Sequence, residues 1–178
     1  TESQAKVVRT SRGPATKCGG LVVWIDTRWA QVPHTVHRFE NETLQDRIII
    51  IEFNNASPDD HNKLLLIAYY GLNSAHTSPA KAQKDIIHKW ISKHIHRFKQ
   101  RNPHATVALV GDTNAAKSTD LDTDREPQGA LSPTAQEDDA CVIEELEDMH
   151  LVDIMREKHP TTRIVPRKNT GGTSRYLD

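Results

Sequence analysis

Cysteine is scarce in this sequence, and long apolar runs are missing. Cys18 and Cys141 are the only cysteines among 178 residues, too few for a disulfide framework and without the spacing of a zinc site. No apolar run approaches the roughly 20 residues that cross a bilayer, and the opening stretch Thr1–Arg12 lacks the apolar core of a signal peptide. We therefore expect a protein of a reducing intracellular compartment, the nucleus or the cytoplasm, with no membrane partner.

An excess of positive charge is also missing. The 23 Lys and Arg residues are balanced by 24 Asp and Glu residues, which excludes a histone-like binder whose affinity comes from many phosphate-neutralising cations. A local basic groove stays compatible with this balance, because net charge does not describe where the charges lie. The length and the 36% hydrophobic content suit one globular domain with a substantial core. We expect a polar N-terminal segment at 1–18 and a single domain over 19–178.

Continuous apolar runs predict β-strands in the first half of the chain. Residues 21–25 follow a Gly-Gly turn, residues 47–53 include four consecutive isoleucines, and residues 63–70 combine leucines, isoleucine and two tyrosines. The turn formers at 54–60 predict that the second and third runs pair as a hairpin. The polar but β-prone residues 34–39 predict an edge strand or a loop. No buried strand is expected before Gly19.

Helical periodicity begins after Ser78-Pro79 and continues to Arg101, where Asn102-Pro103 ends it. Three- and four-residue spacing predicts an amphipathic helix. Its expected apolar positions are Ala82, Ile86, Trp90, Ile91, Ile95 and Phe98, and its expected solvent face carries Lys81, Lys84, Lys89, Lys93, Arg97 and Lys99. The helical histidines His88, His94 and His96 are expected to face solvent without a ligand role, because none has a partner at zinc spacing.

The second half of the chain has fewer regular signals. Thr106–Val110 predicts a short buried strand that stops at Gly111-Asp112, and spaced apolar residues from Val142 to Met149 predict a short helix. The acidic, aperiodic residues 117–138 predict a flexible surface loop. Strands that interleave with helices and a hairpin indicate an α/β fold in layers.

The strongest signal for chemistry lies in the stretch Val107–Ala115, which reads VALVGDTNA. A predicted strand presents Asp112 and Asn114 at its carboxyl end, and a spacing of two in extended chain directs both side chains to the same side. The carboxylate can accept a proton from water while the amide donates to a phosphate oxygen. Because Gly, Asp and Asn all favour turns, this stretch by itself favours a structural turn over a catalytic site.

Three further stretches extend the pattern in a fixed order, and together they resemble the endonuclease/exonuclease/phosphatase family, related to deoxyribonuclease I and apurinic endonucleases. Gly111–Ala115 looks like the family's Gly-Asp-x-Asn motif. Leu66–Ser74 is similar to the strand that ends in Asn-x-Tyr-x-Pro, although Ala68 and Leu72 replace the Asn and the Pro, so that only Tyr70 carries over. Leu151–Pro160 resembles Leu-x-Asp-x-x-Arg-x-x-His-Pro, and Thr173–Asp178 looks like Ser-Arg-x-Asp with one inserted residue. The resemblance covers about residues 19–178.

The resemblance implies a layered α/β sandwich of the deoxyribonuclease I type and a metal-dependent phosphodiesterase. Asp112 would orient or deprotonate the attacking water, Asn114 would hold the scissile phosphate, Tyr70 would hydrogen-bond a phosphate oxygen, and Asp178 would face a downstream histidine. The cofactor would be Mg²⁺ or Mn²⁺, and the partner would be DNA. The Leu151–Pro160 stretch is similar to endonuclease domains of non-long-terminal-repeat retroelements, and the implied role of Asp153 and Arg156 within it is structural.

Two motifs of the family have no match. Nothing before Gly19 resembles the opening strands with their metal-binding Glu, and the family's Asp-His motif would follow Asp178, the last residue. We therefore expect a fold truncated at both ends. The alternatives to an endonuclease are a non-catalytic nucleic-acid- or protein-binding module of the same fold and a phosphatase for a phospholipid-type substrate, which shares the Gly-Asp-x-Asn core.

Overall fold

The computed structural model describes residues 6–9, 20–41, 43–55, 62–72, 78–114 and 142–162. The chain is divided into two compact units. The first, here called the sheet unit, comprises Thr1–Tyr70 and Ile87–Gly111. The second, here called the turn unit, comprises Gly71–Ile86 and Asp112–Asp178. In chain order the elements are β1 (Lys6–Arg9), β2 (Val22–Ile25), α1 (Thr27–Ala30), β3 (His34–Arg38), β4 (Ile48–Phe53), β5 (Leu64–Tyr70), α2 (Ser78–Arg101), β6 (Thr106–Asp112), α3 (helical residues 142–148) and α4 (Ile154–Lys158).

A four-stranded mixed sheet in the order β3-β4-β5-β6 forms the centre of the sheet unit. β3 and β4 pair antiparallel, as do β4 and β5, with Ile50 opposite Ile67. β6 runs parallel to β5: Thr106 N–H donates to the Lys63 carbonyl at 2.9 Å where both strands begin, and Gly71 N–H donates to the Asp112 carbonyl at 2.6 Å where both end. A parallel pair needs a crossover connection, and α2 provides it.

Both faces of the β4–β5 hairpin are covered, which explains its continuous apolar sequence. On one face, Ile49, Ile51 and Phe53 pack with Ile25 and Val32 from the segment that contains β2 and α1. The opposite face meets residues 87–101 of α2, where the rings of Tyr69 and His88 lie 5.8 Å apart. Each fully buried isoleucine contributes about 1.5–3 kcal/mol relative to an exposed one. The predicted hairpin is confirmed, and so is the edge position of β3.

The first strand lies in a segment where the sequence pattern predicts none. Lys6–Arg9 pairs antiparallel with β2, with Val7 opposite Trp24. Four residues are too few for a reliable period of two, and their backbone hydrogen bonds come from a partner strand that follows only after residues 10–21. The polar composition of residues 1–18 therefore gave no signal for β1, which forms by pairing with β2.

The bounds of α2 agree with the predicted helix, but its buried face differs at the beginning. Lys84 is 2% exposed and His88 is 3% exposed, although both are expected at solvent, whereas Ile86 is 46% exposed. Each buried polar side chain has a partner: Lys84 Nζ lies 3.2 Å from Glu145 Oε1, and His88 Nε2 lies 3.3 Å from the Tyr69 hydroxyl. Such partners are what makes the burial of polar groups tolerable. The buried face comprises Lys84, Ile87, His88, Ile91, Ile95 and Phe98.

Two later elements, β6 and α3, also follow the sequence signals. β6 includes Gly111 and Asp112 and is thus two residues longer than predicted. The short helix predicted from Val142 onward is present at 142–148, with Val142 and Leu146 buried. The predicted loop at 117–138 lies outside the described residues. The observed architecture is a mixed α/β fold, and among the described residues no helix combines the length and the apolar character that crossing a bilayer requires.

Candidate functional site

The carboxyl end of β6 forms a tight turn at Asp112–Asn114, here called the Asp112 turn. The Asp112 carboxylate accepts the backbone N–H of Asn114 at 2.9 Å through Oδ1, which is the local bond that makes Asp a turn former. Asn114 has a φ of 53°, in the left-handed region that Asn tolerates better than most residues. The two polar side chains predicted to act together are therefore brought together by one turn.

Gly71, which directly follows β5, holds this turn in place. Its N–H donates to the Asp112 carbonyl at 2.6 Å, and its carbonyl accepts the Asn114 side-chain amide at 2.9 Å. A Cβ at Gly71 would lie 1.9 Å from the Thr113 carbonyl oxygen, so only glycine fits this approach. The side chains of Asp112 and Asn114 are consequently fixed in orientation before any ligand binds.

Several polar atoms of the turn stay available for a ligand. Within the part of the chain that the structure describes, Asp112 Oδ2 and Asn114 Oδ1 make no hydrogen bond. Asn114 also has a second amide hydrogen, because a carboxamide has two donors and Gly71 uses one. Asp112 and Asn114 are both half-buried. The turn can thus accept a proton at Asp112 and donate a hydrogen bond from Asn114.

The donor atoms of the turn fit a hard divalent cation in type. Mg²⁺ takes oxygen ligands and is often held by one or two carboxylates together with waters and substrate phosphates. Asn114 Oδ1 is an oxygen donor of this kind, and Asp112 Oδ2 is another where it does not act as a base. No group of three or more His, Cys, Asp or Glu side chains suited to a metal occurs among the described residues, so a fuller protein cage is not formed by this part of the chain.

Tyr70, the third predicted site residue, belongs to the sheet unit. It is half-buried at the end of β5, its N–H donates to the Arg47 carbonyl at 2.8 Å, and the Arg47 guanidinium lies 4.8 Å from its ring centroid. A cation over the ring face is a favourable contact that steadies the aromatic side chain. The fourth predicted residue, Asp178, lies outside the described residues.

The stretch around Asp153 has the structural role expected of it. Asp153 Oδ1 accepts the backbone N–H groups of Met155 at 2.9 Å and Arg156 at 3.0 Å, and so caps α4. The Arg156 guanidinium donates to the Thr162 carbonyl at 2.9 Å. These bonds connect neighbouring turns of chain, as a capped short helix requires.

A groove between β3 and α2, here called the Trp90 groove, is a feature that the sequence patterns did not predict. Its volume is about 570 Å³, and its lining residues are Val36, His37, Arg38, Phe39, Glu40, Trp90, Lys93, His94 and Arg97. The only available signal was the four-residue spacing of Trp90 with His94 and of Lys93 with Arg97, which places each pair on one helix face. Nothing in the sequence indicated that β3 would face them.

The histidines of this groove have distinct surroundings. His94 Nδ1 donates to the Trp90 carbonyl at 2.9 Å, and burial lowers the pKa of His94 below its ordinary value although that hydrogen bond opposes the effect. His37 Nε2 lies 3.4 Å from Glu52 Oε2 without hydrogen-bond geometry. His94 is therefore a neutral ring at neutral pH, with its proton on Nδ1.

Comparison with known proteins adds no relative: no protein-family model matches the chain, and no curated protein sequence matches it. The Asp112 turn, the Trp90 groove and the order of the sequence motifs are therefore the grounds for a functional assignment.

Proposed function

We propose that this chain is a metal-dependent phosphodiesterase domain of the deoxyribonuclease I-like type that hydrolyses the DNA backbone. The observation that carries the proposal is the Asp112 turn, in which a carboxylate and an amide stand two residues apart at the carboxyl end of a parallel strand. Open α/β sheets bind their ligands beyond the carboxyl ends of strands. The motif order from Tyr70 to Asp178 adds support.

The chemistry of Asp112 follows from its hydrogen bonding. Oδ1 is occupied by the Asn114 N–H, so Oδ2 is the atom that would receive a proton from the attacking water. A positioned general base contributes about 10²–10⁴ in rate. Because the turn is already held by Gly71, little reorganisation is needed when substrate binds.

The remaining roles concern the phosphate. Asn114 would donate its second amide hydrogen to a non-bridging oxygen, stabilising charge as it develops. Tyr70 remains a predicted phosphate-binding residue. A bound Mg²⁺ or Mn²⁺ would supply charge neutralisation on the phosphate and the leaving oxygen. We assign DNA as the substrate, of the retroelement or repair type, because the Leu151–Pro160 stretch resembles that branch of the family. Asp178 remains a predicted site residue.

A second candidate function is a non-catalytic binding module of the same fold. The observation that favours it is that Asp112 Oδ1 and one Asn114 amide hydrogen already serve the turn and Gly71, as they would in a purely structural turn. The absence of a three-ligand metal group among the described residues points the same way.

Nicking of supercoiled plasmid in Mg²⁺ tests the proposal. Asp112→Asn keeps an oxygen acceptor for the Asn114 N–H but removes the carboxylate, so we expect the rate to fall by about 10²-fold or more. Asp153→Asn is the matched control, because Asp153 also accepts a backbone N–H two residues ahead and belongs to the same unit. The variant loses the same charge, and its nicking rate should equal that of the native chain.

Equal nicking by the native chain and Asp112→Asn, or nicking that persists in EDTA, would contradict the assignment. Binding of DNA without nicking by the native chain would favour the binding module. Release of inorganic phosphate from a phosphoinositide, without nicking, would instead assign a phosphatase.

A further inference from the structure

Aromatic rings from β3 and α2 form a continuous row in the Trp90 groove. The ring centroids of Phe39 and Trp90 are 5.1 Å apart, those of Trp90 and His94 are 4.2 Å apart, and those of His94 and His37 are 5.3 Å apart. Phe39 is buried, whereas Trp90, His94 and His37 are half-buried. The last three therefore keep part of their ring surface toward the groove.

Positive side chains flank this row. Arg38, Lys93 and Arg97 line the groove and are exposed, and Glu40 is the one carboxylate among its lining residues. Glu52, which lies next to His37, is compensated by Arg101, whose Nη2 is 3.1 Å from Glu52 Oε2. The groove is thus complementary to an anion, although the whole chain has a formal net charge of −1.

From this combination we infer that the Trp90 groove binds single-stranded nucleic acid, with bases stacked on Trp90 and His94 and phosphates beside Lys93 and Arg97. Unpaired bases expose ring faces that stack on aromatic side chains, while cations follow the backbone. In a duplex those faces are already occupied by neighbouring bases. An acidic peptide would satisfy the cations but would leave the ring row without a function.

The state of His94 agrees with a stacking role. Its Nδ1 proton is used by the Trp90 carbonyl, and the desolvation that lowers its pKa keeps the ring uncharged at neutral pH. A neutral ring held against Trp90 presents a flat face without requiring a counterion. The inference does not depend on the hydrolysis proposed for the Asp112 turn, because binding can be measured in EDTA.

Anisotropy of a labelled oligothymidine in EDTA tests the aromatic part. Trp90→Leu should weaken binding by about tenfold, since one base loses the ring on which it stacks. Trp90→Phe should recover most of the affinity, which also shows that the fold tolerates substitution at this position. Trp24→Leu is the matched control: Trp24 is 68% exposed, lies in the same unit and does not line the groove, so its affinity should equal that of the native chain.

The salt dependence of the same binding tests the cations. Replacing Lys93 and Arg97 by serine should reduce the slope of log affinity against log salt by about 0.7 for each phosphate that is no longer neutralised. Arg28→Ser, an exposed cation in α1 of the same unit that does not line the groove, should leave the slope unchanged.

Three results would overturn the inference. The first is a native chain that does not bind oligothymidine. The second is an equal decrease in affinity for Trp90→Leu and Trp24→Leu, and the third is competition by inorganic polyphosphate as strong as by oligothymidine. The second result would mean that the loss of affinity is not specific to the groove, and the third would mean that binding depends on charge alone.

Discussion

The described parts of the two units are stabilised by different kinds of contact. In the sheet unit, the four isoleucines of β4 are 0% exposed and are joined in the core by Ile87, Ile91 and Phe98, also 0% exposed. In the turn unit, the described buried residues include Lys84 at 2% and Thr113 at 7% exposure, with Leu72, Val142 and Leu146 as the apolar ones. Gly71 adds a close backbone approach.

This difference shows where each unit tolerates change. Apolar burial is non-directional, and cores accept substitutions that keep volume and pattern. Directional polar contacts and close backbone approaches tolerate little, because an unpaired buried group costs its full desolvation. The same directional contacts are the ones that orient Asp112 and Asn114.

The largest effect is expected when Gly71 is replaced by alanine. The new Cβ would lie 1.9 Å from the Thr113 carbonyl oxygen, so the backbone must shift, and we expect the free energy of unfolding to decrease by about 4 kcal/mol. Gly20→Ala adds the same methyl group at an exposed glycine with a φ of 108°, and should cost only about 1–2 kcal/mol of backbone strain. Urea unfolding measures both.

Segment-resolved hydrogen exchange should show that Gly71→Ala exposes the amides of 112–114 more than those of β4. An equal decrease of protection in β4 and the Asp112 turn would contradict the view that the two units are stabilised by different kinds of contact.

An intermediate effect is expected at the buried ion pair of the turn unit. The Lys84 side chain is 3% exposed and that of Glu145 is 33% exposed. Glu145→Gln leaves the buried Lys84 ammonium without its carboxylate partner and should lower the free energy of unfolding by about 2–3 kcal/mol. This is less than the roughly 3–5 kcal/mol for breaking a fully buried pair, because Glu145 is partly exposed to water. Lys84→Met removes the charge from the buried position and should cost less than about 1 kcal/mol. The midpoint of urea unfolding checks both values.

Glu144→Gln provides the matched control, because Glu144 is an exposed neighbour in α3, and no change is expected for it. A larger cost for Lys84→Met than for Glu145→Gln would show that the aliphatic packing of Lys84, rather than its charge, holds this part of the turn unit.

The smallest effect is expected from the titration of His94 in the sheet unit. Burial lowers its pKa, so near and below the ordinary histidine pKa the unfolded chain binds more protons than the folded one, and stability falls as the pH decreases through that pKa. The effect should be at most about 1 kcal/mol, since the ring is half-exposed and screened. Melting temperature against pH measures it.

His94→Asn should flatten that dependence. His96→Asn, at an exposed position two residues away, should leave it unchanged. A dependence of the same steepness in His94→Asn would assign the titration to another group.

Local patterns in the sequence were enough for several elements. The continuous apolar runs at 47–53 and 63–70 predicted β4 and β5 because a strand buried on both faces has no polar positions to alternate with. The turn formers between them predicted the hairpin, and the Asp112–Asn114 spacing predicted a shared location for these two side chains. Each of these inferences depends on residues close together in the chain.

The remaining features depend on contacts between distant residues. The polar Lys84 and His88 occupy buried positions because Glu145 and Tyr69 are present to pair with them, and no hydrophobicity pattern reveals a distant partner. β1 forms against β2, and the Trp90 groove joins the β3 region with α2.

The sequence by itself therefore determined the order and type of the main elements and the pairing of Asp112 with Asn114, because these depend on local periodicity and turn chemistry. Tertiary structure alone decided which face of α2 is buried, why Gly71 must be glycine and where the aromatic row lies. Those features are set by the close approach of residues that are distant in sequence, which depends on packing geometry and on the pairing of buried polar groups.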